Sequence, residues 1–223
     1  MRVDAVIVAA GSSARFGGQD KLLVELCGMS VLARSIAAFE AAESVGRVIL
    51  VTAAERSDEV ATIARAAAPG KYHATVPGGA RRRDSVEAGL RACASRYVAI
   101  HDGARPLVTP ELIERVIAAA EDKPGAIAAI PVTDTIKEVR DGTITGHPER
   151  TRLWAAQTPQ VVLRQAWLDA AAMGDNDETD DAAMLSRLGL ECTVVEGSFE
   201  NLKITRPLDL DTARSILALR GTR

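Results

Sequence analysis

Aromatic side chains are scarce: Phe, Trp and Tyr make up 3% of the 223 residues. A platform that stacks nucleic-acid bases on rings is therefore not expected, and Ala, Val, Ile and Leu must fill the core. An excess of one charge is lacking too, with 27 Lys and Arg against 30 Asp and Glu, a formal net charge of −3. No global basic field attracts a polyanion, so nucleic acid is not an expected partner and any anion must be bound locally. The 3 cysteines, Cys27, Cys93 and Cys192, are isolated and odd in number. That pattern fits neither a disulfide framework nor a zinc site of short ligand spacing; packed thiols in a reducing compartment are expected. Long apolar runs are missing as well. Residues 5–10 are too few for a signal-peptide core, and nothing approaches a membrane span. A soluble, cytoplasmic protein with no membrane partner is expected.

What is present is an alternation of short apolar runs with stretches of helical period. Residues 5–10 (AVIVAA) run apolar up to Gly11, as a parallel strand buried on both faces does. Residues 31–42 carry apolar side chains at helical spacing, with Ser30 in N-cap position. Strands are predicted at 47–53, 72–76, 97–101 and 126–132. Helices are predicted at 58–68, stopped by Pro69-Gly70, at 84–93, and from Thr109-Pro110 to about Glu121. This order implies a three-layer α/β sheet, mostly parallel, and such sheets place ligands beyond the carboxyl ends of their strands. Residues 133–158 break the pattern. Asp141-Gly142 between 135–140 and 143–145 reads as strand, turn, strand, so a protruding β-arm is predicted at about 133–152, of the kind that contacts a second subunit. A helix at 164–172, an acidic loop at 175–181, a strand at 192–196 and a helix from Pro207 follow. One domain, 1–223, with an arm is expected.

Three loops rich in glycine and charge fall at the carboxyl ends of predicted strands. The first, 9–21, combines Gly11, small residues, Arg15 and Lys21; small residues let backbone N–H groups approach phosphate oxygens, and the cations neutralise them. It is neither a Walker loop nor a Rossmann GxGxxG; alone it reads better as a solvated turn, and its place straight after the first strand makes the two readings about equal. The second, 77–85, holds Gly78-Gly79 and three consecutive arginines at a helix start, where cations oppose the helix dipole unless an anion or carboxylate compensates. The third, 101–106, ends a strand with Asp102 and Arg105. A carboxylate there suits Mg²⁺ held jointly with substrate phosphates; a local Asp102–Arg105 ion pair is the plainer alternative. His101 reads as a packed histidine, having no second histidine at metal spacing. No Gly-x-Ser-x-Gly elbow is present, which disfavours acyl transfer and leaves phosphate chemistry with a metal preferred.

Residues 9–21 resemble the A-A-G-x-x-x-R…K signature of nucleotidyltransferases that activate sugar or alditol phosphates. Residues 101–106 (HDGARP) resemble the corresponding motif of one branch, the 2-C-methyl-D-erythritol 4-phosphate cytidylyltransferase family of the non-mevalonate isoprenoid pathway. Residues 133–137, 153–160 and 201–210 agree, in matching order along nearly the whole chain. The resemblance implies a Rossmann-like nucleotidyltransferase sheet and cytidylyl transfer from CTP to 2-C-methyl-D-erythritol 4-phosphate with Mg²⁺ as cofactor. It implies that Arg15 and Lys21 stabilise the transition state and that Ala9, Ala10, Gly11, Gly79 and Ser85 bind nucleotide. Asp102 would sit by metal, nucleotide and substrate, with Arg105 near the substrate. Thr158 and Lys203, with Thr135 and Arg150 from the arm of a homodimer partner, would grip the methylerythritol phosphate. Ala80 departs from the acidic residue that family members often carry after the glycine pair, and 18–21 (GQDK) is similar to molybdopterin nucleotidyltransferases. A related nucleotidyltransferase with another acceptor, or a silent nucleotide-binding module, is the alternative.

Overall fold

The computed structural model describes residues 1–11, 16, 20–174 and 178–221. In chain order the chain forms β1 (Val3–Val8), a small hairpin of β2 (Glu25–Leu26) and β3 (Met29–Ser30), α1 (Val31–Ala41), β4 (Val45–Thr52) and α2 (Ser57–Ala67). Next come β5 (Tyr72–Pro77), α3 (Arg82–Arg91), β6 (Tyr97–Asp102), α4 (Pro110–Ala120) and β7 (Gly125–Pro131). The hairpin β8 (Glu138–Arg140) and β9 (Thr143–Gly146) leads into β10 (Trp154–Leu163). The chain then runs through α5 (Arg164–Ala172), α6 (Asp181–Ser186), β11 (Thr193–Glu196) and α7 (Pro207–Gly221). Among the described residues, seven strands make one sheet in the order β11-β7-β10-β6-β1-β4-β5. β10 alone runs against its neighbours; the other pairings are parallel.

The mostly parallel, doubly wound sheet follows from its strand sequences. β1 is apolar at nearly every position, and its alternate residues enter two different cores. Val3, Ala5 and Ile7 pack with side chains of α1, α2, α4 and α7, whereas Val6 packs with those of α3, α5 and α6. Each fully buried aliphatic side chain of this kind contributes roughly 1.5–3 kcal/mol. The helix starts follow the capping residues: Ser30 Oγ accepts from the Ala33 N–H (3.1 Å), Thr109 Oγ1 from that of Leu112 (3.3 Å) and Asp180 Oδ1 from that of Ala183 (2.9 Å). At the arm, Asp141 (φ 49°) and Gly142 (φ 77°) take the left-handed conformations that a two-residue hairpin turn requires. No described helix is long and apolar enough to cross a membrane.

β10 is the element that periodicity did not reveal. Pro159 and the polar Gln157, Thr158 and Gln160 argue against a central strand, yet all three polar residues are buried there. Their side chains are satisfied by distant partners: Gln157 Nε2 donates to Ser198 O (2.8 Å), and Gln160 Oε1 accepts from the N–H groups of Asp181 (3.0 Å) and Ala182 (3.1 Å). The ladder to β7 is irregular between Ala156 and Gln160, and Pro159, which has no N–H to give, falls in that interruption.

One polar pair anchors the opposite end of the sheet. Asp4, 2% exposed, accepts from Arg47 Nε (3.0 Å) and Nη2 (2.7 Å) and from the N–H groups of Ala94 (2.8 Å) and Ser95 (3.0 Å). Burial pushes its carboxyl up, but Arg47 and the two amides outweigh this and hold it below the usual range. A lowered folded pKa stabilises the fold above the unfolded value of ~3.9 and ceases to do so as pH falls through the folded one. Asp4→Asn should therefore cost about 2 kcal/mol at neutral pH, measured by urea denaturation. The gap between variant and wild type should narrow on acidification below ~pH 4; a gap independent of pH would contradict the assignment.

Candidate active site

Strand order reverses between β1 and β6: β4 and β5 extend the sheet on one side of β1, and β6 with its successors on the other. A crevice outside the carboxyl ends of the strands is expected at such a switch point. A cavity of about 490 Å³ lies there, lined by Val8–Gly11 at the end of β1, by Gly79–Arg82 and Ser85 after β5, by Asp102 and Ala104 at the end of β6, and by Lys21, Leu22, Lys203 and Thr205. All three loops picked out from the sequence meet in it.

The glycine pair lets the segments that form the wall pack closely on one another. A Cβ on Gly78 would lie 2.7 Å from both Ala10 Cβ and Ser85 Oγ, and one on Gly79 would lie 2.4 Å from Asp84 Cβ. Only glycine permits this approach of Gly78 to the β1 loop and of Gly79 to α3. A Cβ on Gly11, by contrast, would meet nothing within 4 Å, so packing alone does not require glycine there. The buried Ser85 hydroxyl accepts from the Gly79 N–H (3.2 Å) and lies 3.1 Å from Arg81 O as donor, tying the loop to α3. Arg56, which no motif pointed to, donates to Ala9 O (2.8 Å) and pairs with Asp20. It thus links the two ends of the first loop. Arg15 lies outside the described residues.

Asp102 is the electrostatic centre. Its carboxylate faces Lys203 Nζ at 2.8 Å, Arg82 Nε at 3.3 Å and Arg105 Nε at 3.9 Å. Burial alone would raise its pKa, but Arg82, Lys203 and Arg105 together hold it well below the usual carboxylate range, so it is an anion at every working pH. Behind it, the Asp102 N–H donates to Thr158 Oγ1 (3.1 Å), and that hydroxyl lies 2.9 Å from His101 Nδ1. His101 Nε2 faces Arg105 O at 3.2 Å. Burial pushes the His101 imidazole down to about 3, so it is neutral. Its Nε2–H donates to the Arg105 carbonyl and its Nδ1 accepts from Thr158, the tautomer that satisfies every group. His101 is a packed histidine, as read from the sequence, with Phe39 5.0 Å away, ring centre to ring centre.

Of the residues predicted for the site, the cavity wall brings together Ala9, Ala10, Gly11, Lys21, Gly79, Ser85, Asp102 and Lys203. Thr158 and Arg105 lie behind the wall. Thr158 is 4% exposed, and Arg105 turns away to donate to Asn201 O (2.8 Å). Thr135 and Arg150 are exposed on and beside the arm, Arg150 donating to Thr133 O (2.9 Å). Arg82, unassigned from sequence, is on the wall; the signal was the arginine run at a helix start, which demanded carboxylate compensation. Among the described residues, no group of three or more His, Cys, Asp or Glu could hold a metal ion.

The IspD family model, 2-C-methyl-D-erythritol 4-phosphate cytidylyltransferase, matches residues 3–219. The curated relative of that name from Prochlorococcus marinus is 44% identical over 97% of this chain and 98% of its own length. That from Bacillus licheniformis is 39% identical over 97% and 96%. Among solved structures, 4-diphosphocytidyl-2C-methyl-D-erythritol synthase from Anaerococcus prevotii superposes with a TM-score of 0.86 at 27% identity, over 97% of this chain and 96% of that one. The Thermus thermophilus cytidylyltransferase gives 0.76 at 28%, over 97% and 98%. With its switch-point cavity, its cationic wall and these relatives spanning nearly its full length, the chain belongs to the 2-C-methyl-D-erythritol 4-phosphate cytidylyltransferase family.

Proposed function

We propose that this chain transfers the cytidylyl group of CTP to 2-C-methyl-D-erythritol 4-phosphate, giving 4-diphosphocytidyl-2-C-methyl-D-erythritol and pyrophosphate. The observation that carries the reading is the convergence of Lys21, Arg82 and Lys203 with the small-residue segments Ala9–Gly11 and Gly79-Ala80 around one cavity. A phosphate oxygen of the acceptor attacks the α-phosphorus in line. The new P–O bond forms as the bond to the bridging oxygen breaks, and the electron pair leaves with pyrophosphate. The nucleophile is already anionic near neutral pH, so no general base is needed. The obstacle is the approach of two polyanions, which positioning and fixed cations overcome.

In this reading Lys21 and Arg15 meet the charge developing on the α-phosphate. The backbone of Ala9, Ala10, Gly11 and Gly79, held in register by Ser85, receives the nucleotide. Lys203 turns toward the acceptor phosphate, while Arg105 and Thr158 act from behind the wall, bracing the loop and the backbone of Asp102. One ionised carboxylate on the wall, without a cage of further ligands, suits Mg²⁺ that arrives with a triphosphate and keeps phosphate and water ligands. Asp102 would hold it. When bound, Mg²⁺ supplies neutralisation of the triphosphate charge. Cys93 and Cys192, whose thiols burial pushes up to about 12 and about 11, take no nucleophilic part; unpaired cysteines suit a cytoplasmic enzyme.

The unit is one nucleotidyltransferase domain with its arm, and it works as a homodimer. Ile136, Val139, Ile144 and Trp154 are 37–59% exposed on and next to the arm, an apolar set that a second copy would cover. Thr135 and Arg150 then reach the neighbouring protomer's cavity. The test is a pyrophosphate-release assay. CTP with methylerythritol phosphate and Mg²⁺ should give stoichiometric release, which falls to background without the metal or without the acceptor. Preference for GTP, or for ribitol phosphate, would overturn the assignment.

A further inference from the structure

Arg82 is the first residue of α3, where a cation opposes the helix dipole by roughly 0.3–1 kcal/mol. The helix has no use for it there. Its guanidinium is held at both ends: Nε lies 3.3 Å from Asp102 Oδ1, and Nη2 donates to Asp181 Oδ2 at 2.8 Å. Asp181 is 1% exposed, among the most deeply buried carboxylates of the chain. Burying a charge so fully is costly unless something needs it, and its place in the first turn of the short α6 repays only about 0.3–1 kcal/mol through the helix dipole. The N-cap of α6 is Asp180, and the Asp181 N–H is already satisfied by Gln160. The other carboxylate oxygen, Oδ1, accepts from Trp167 Nε1 (3.1 Å), a bond that the amide oxygen of an asparagine would accept equally well. The negative charge of Asp181 therefore answers to Arg82.

The partners of Asp102 differ in how firmly they are held. The Lys203 side chain is 41% exposed and reaches the carboxylate with its tip, and Arg105 stands off at 3.9 Å while bonding to Asn201. Arg82 is the one locked from its far side by a buried anion. We propose that Asp181 is a positioning residue of the cytidylyl transfer: through Arg82 it fixes the orientation of the Asp102 carboxylate at the cavity wall. Lys203 is then free to exchange Asp102 for substrate phosphate while Asp102 stays in place. Without the charge of Asp181, Arg82 swings toward the incoming triphosphate and Asp102 loses its fixed partner. The inference rests on the functional reading above.

A double-mutant cycle tests it. D181N should lower kcat about tenfold while leaving the apparent KM for each substrate within about twofold, since what is lost is alignment in the transition state. In an R82Q background the same substitution should cause no further loss, because residues that act through one another are non-additive. R82K, whose ammonium cannot bridge two carboxylates as a fork does, should show the same loss of additivity. W167F removes the other donor to the same carboxylate; it should lower the thermal midpoint yet leave kcat within about twofold. Equal kcat losses from D181N with and without Arg82 would overturn the proposal. So would unchanged kcat in D181N, or losses in D181N and W167F that track the thermal midpoint. A wild-type chain that releases no pyrophosphate would overturn the functional reading itself, and this inference with it.

Discussion

Replacing Lys21 by alanine should lower turnover by about 10²–10³-fold, the usual loss when one donor to a developing oxyanion is removed, with a much smaller change in the apparent CTP constant. Lys21 stands on the cavity wall beside Leu22, immediately after Asp20. The turn before it is tied at two points: Asp20 Oδ1 accepts from the Leu22 N–H (3.1 Å), and its carboxylate pairs with Arg56, which also holds Ala9 O. The ammonium is thus presented from a braced turn, which favours transition-state stabilisation over mere attraction. Arg15→Ala is expected to behave alike. Equal losses in CTP affinity and in turnover would place Lys21 among ground-state contacts and contradict its role. The same variant tests the dimer. An Arg150→Ala chain keeps Lys21 but brings a defective arm, so a mixed dimer has one site with both residues intact. After random exchange about a quarter of wild-type activity should return. Failure of the mixture to recover any would rule out an arm acting in trans.

The second large effect is at Asp102. Asp102→Asn keeps the shape of the side chain but turns an amide N–H toward Lys203 or Arg82, each of which is itself only a donor. Turnover should fall by about 100-fold or more, and stability by about 2 kcal/mol, as expected when charged hydrogen bonds are lost at a buried site. The pH dependence is equally specific. Because its folded pKa is depressed, Asp102 contributes its stability above the unfolded value of ~3.9 and withdraws it only as pH falls through the lower, folded value. Protonation of Asp102 should therefore produce no acidic limb in the activity profile above ~pH 4. An Asp102→Asn enzyme that retained more than about a tenth of its turnover would show that the carboxylate is dispensable for electrostatic stabilisation.

These effects came to light at different levels. The three loops were legible because each carries its signal locally. A small-residue turn after an all-apolar strand, a glycine pair before a helix and an acid at a strand end all keep their meaning within a few residues. So do the Ser30 and Thr109 caps and the Asp141-Gly142 turn, whose backbone geometry depends on the residues themselves. β10 was not legible, since Gln157, Thr158 and Gln160 are tolerable in a central strand only through partners 20–57 residues away. Nor could spacing place Thr158 behind Asp102, or turn Arg105 onto Asn201.

By itself, then, the sequence determined the doubly wound sheet, the arm and the rim at which the three loops converge, because apolar period, caps and turns act over one or two turns of chain. The tertiary structure decided which of the converging charges faces the cavity and which braces it from behind. Arg82 and Asp181 are 99 residues apart, and whether a buried charge is paired or stranded depends on what the fold sets beside it. No local pattern encodes that neighbour.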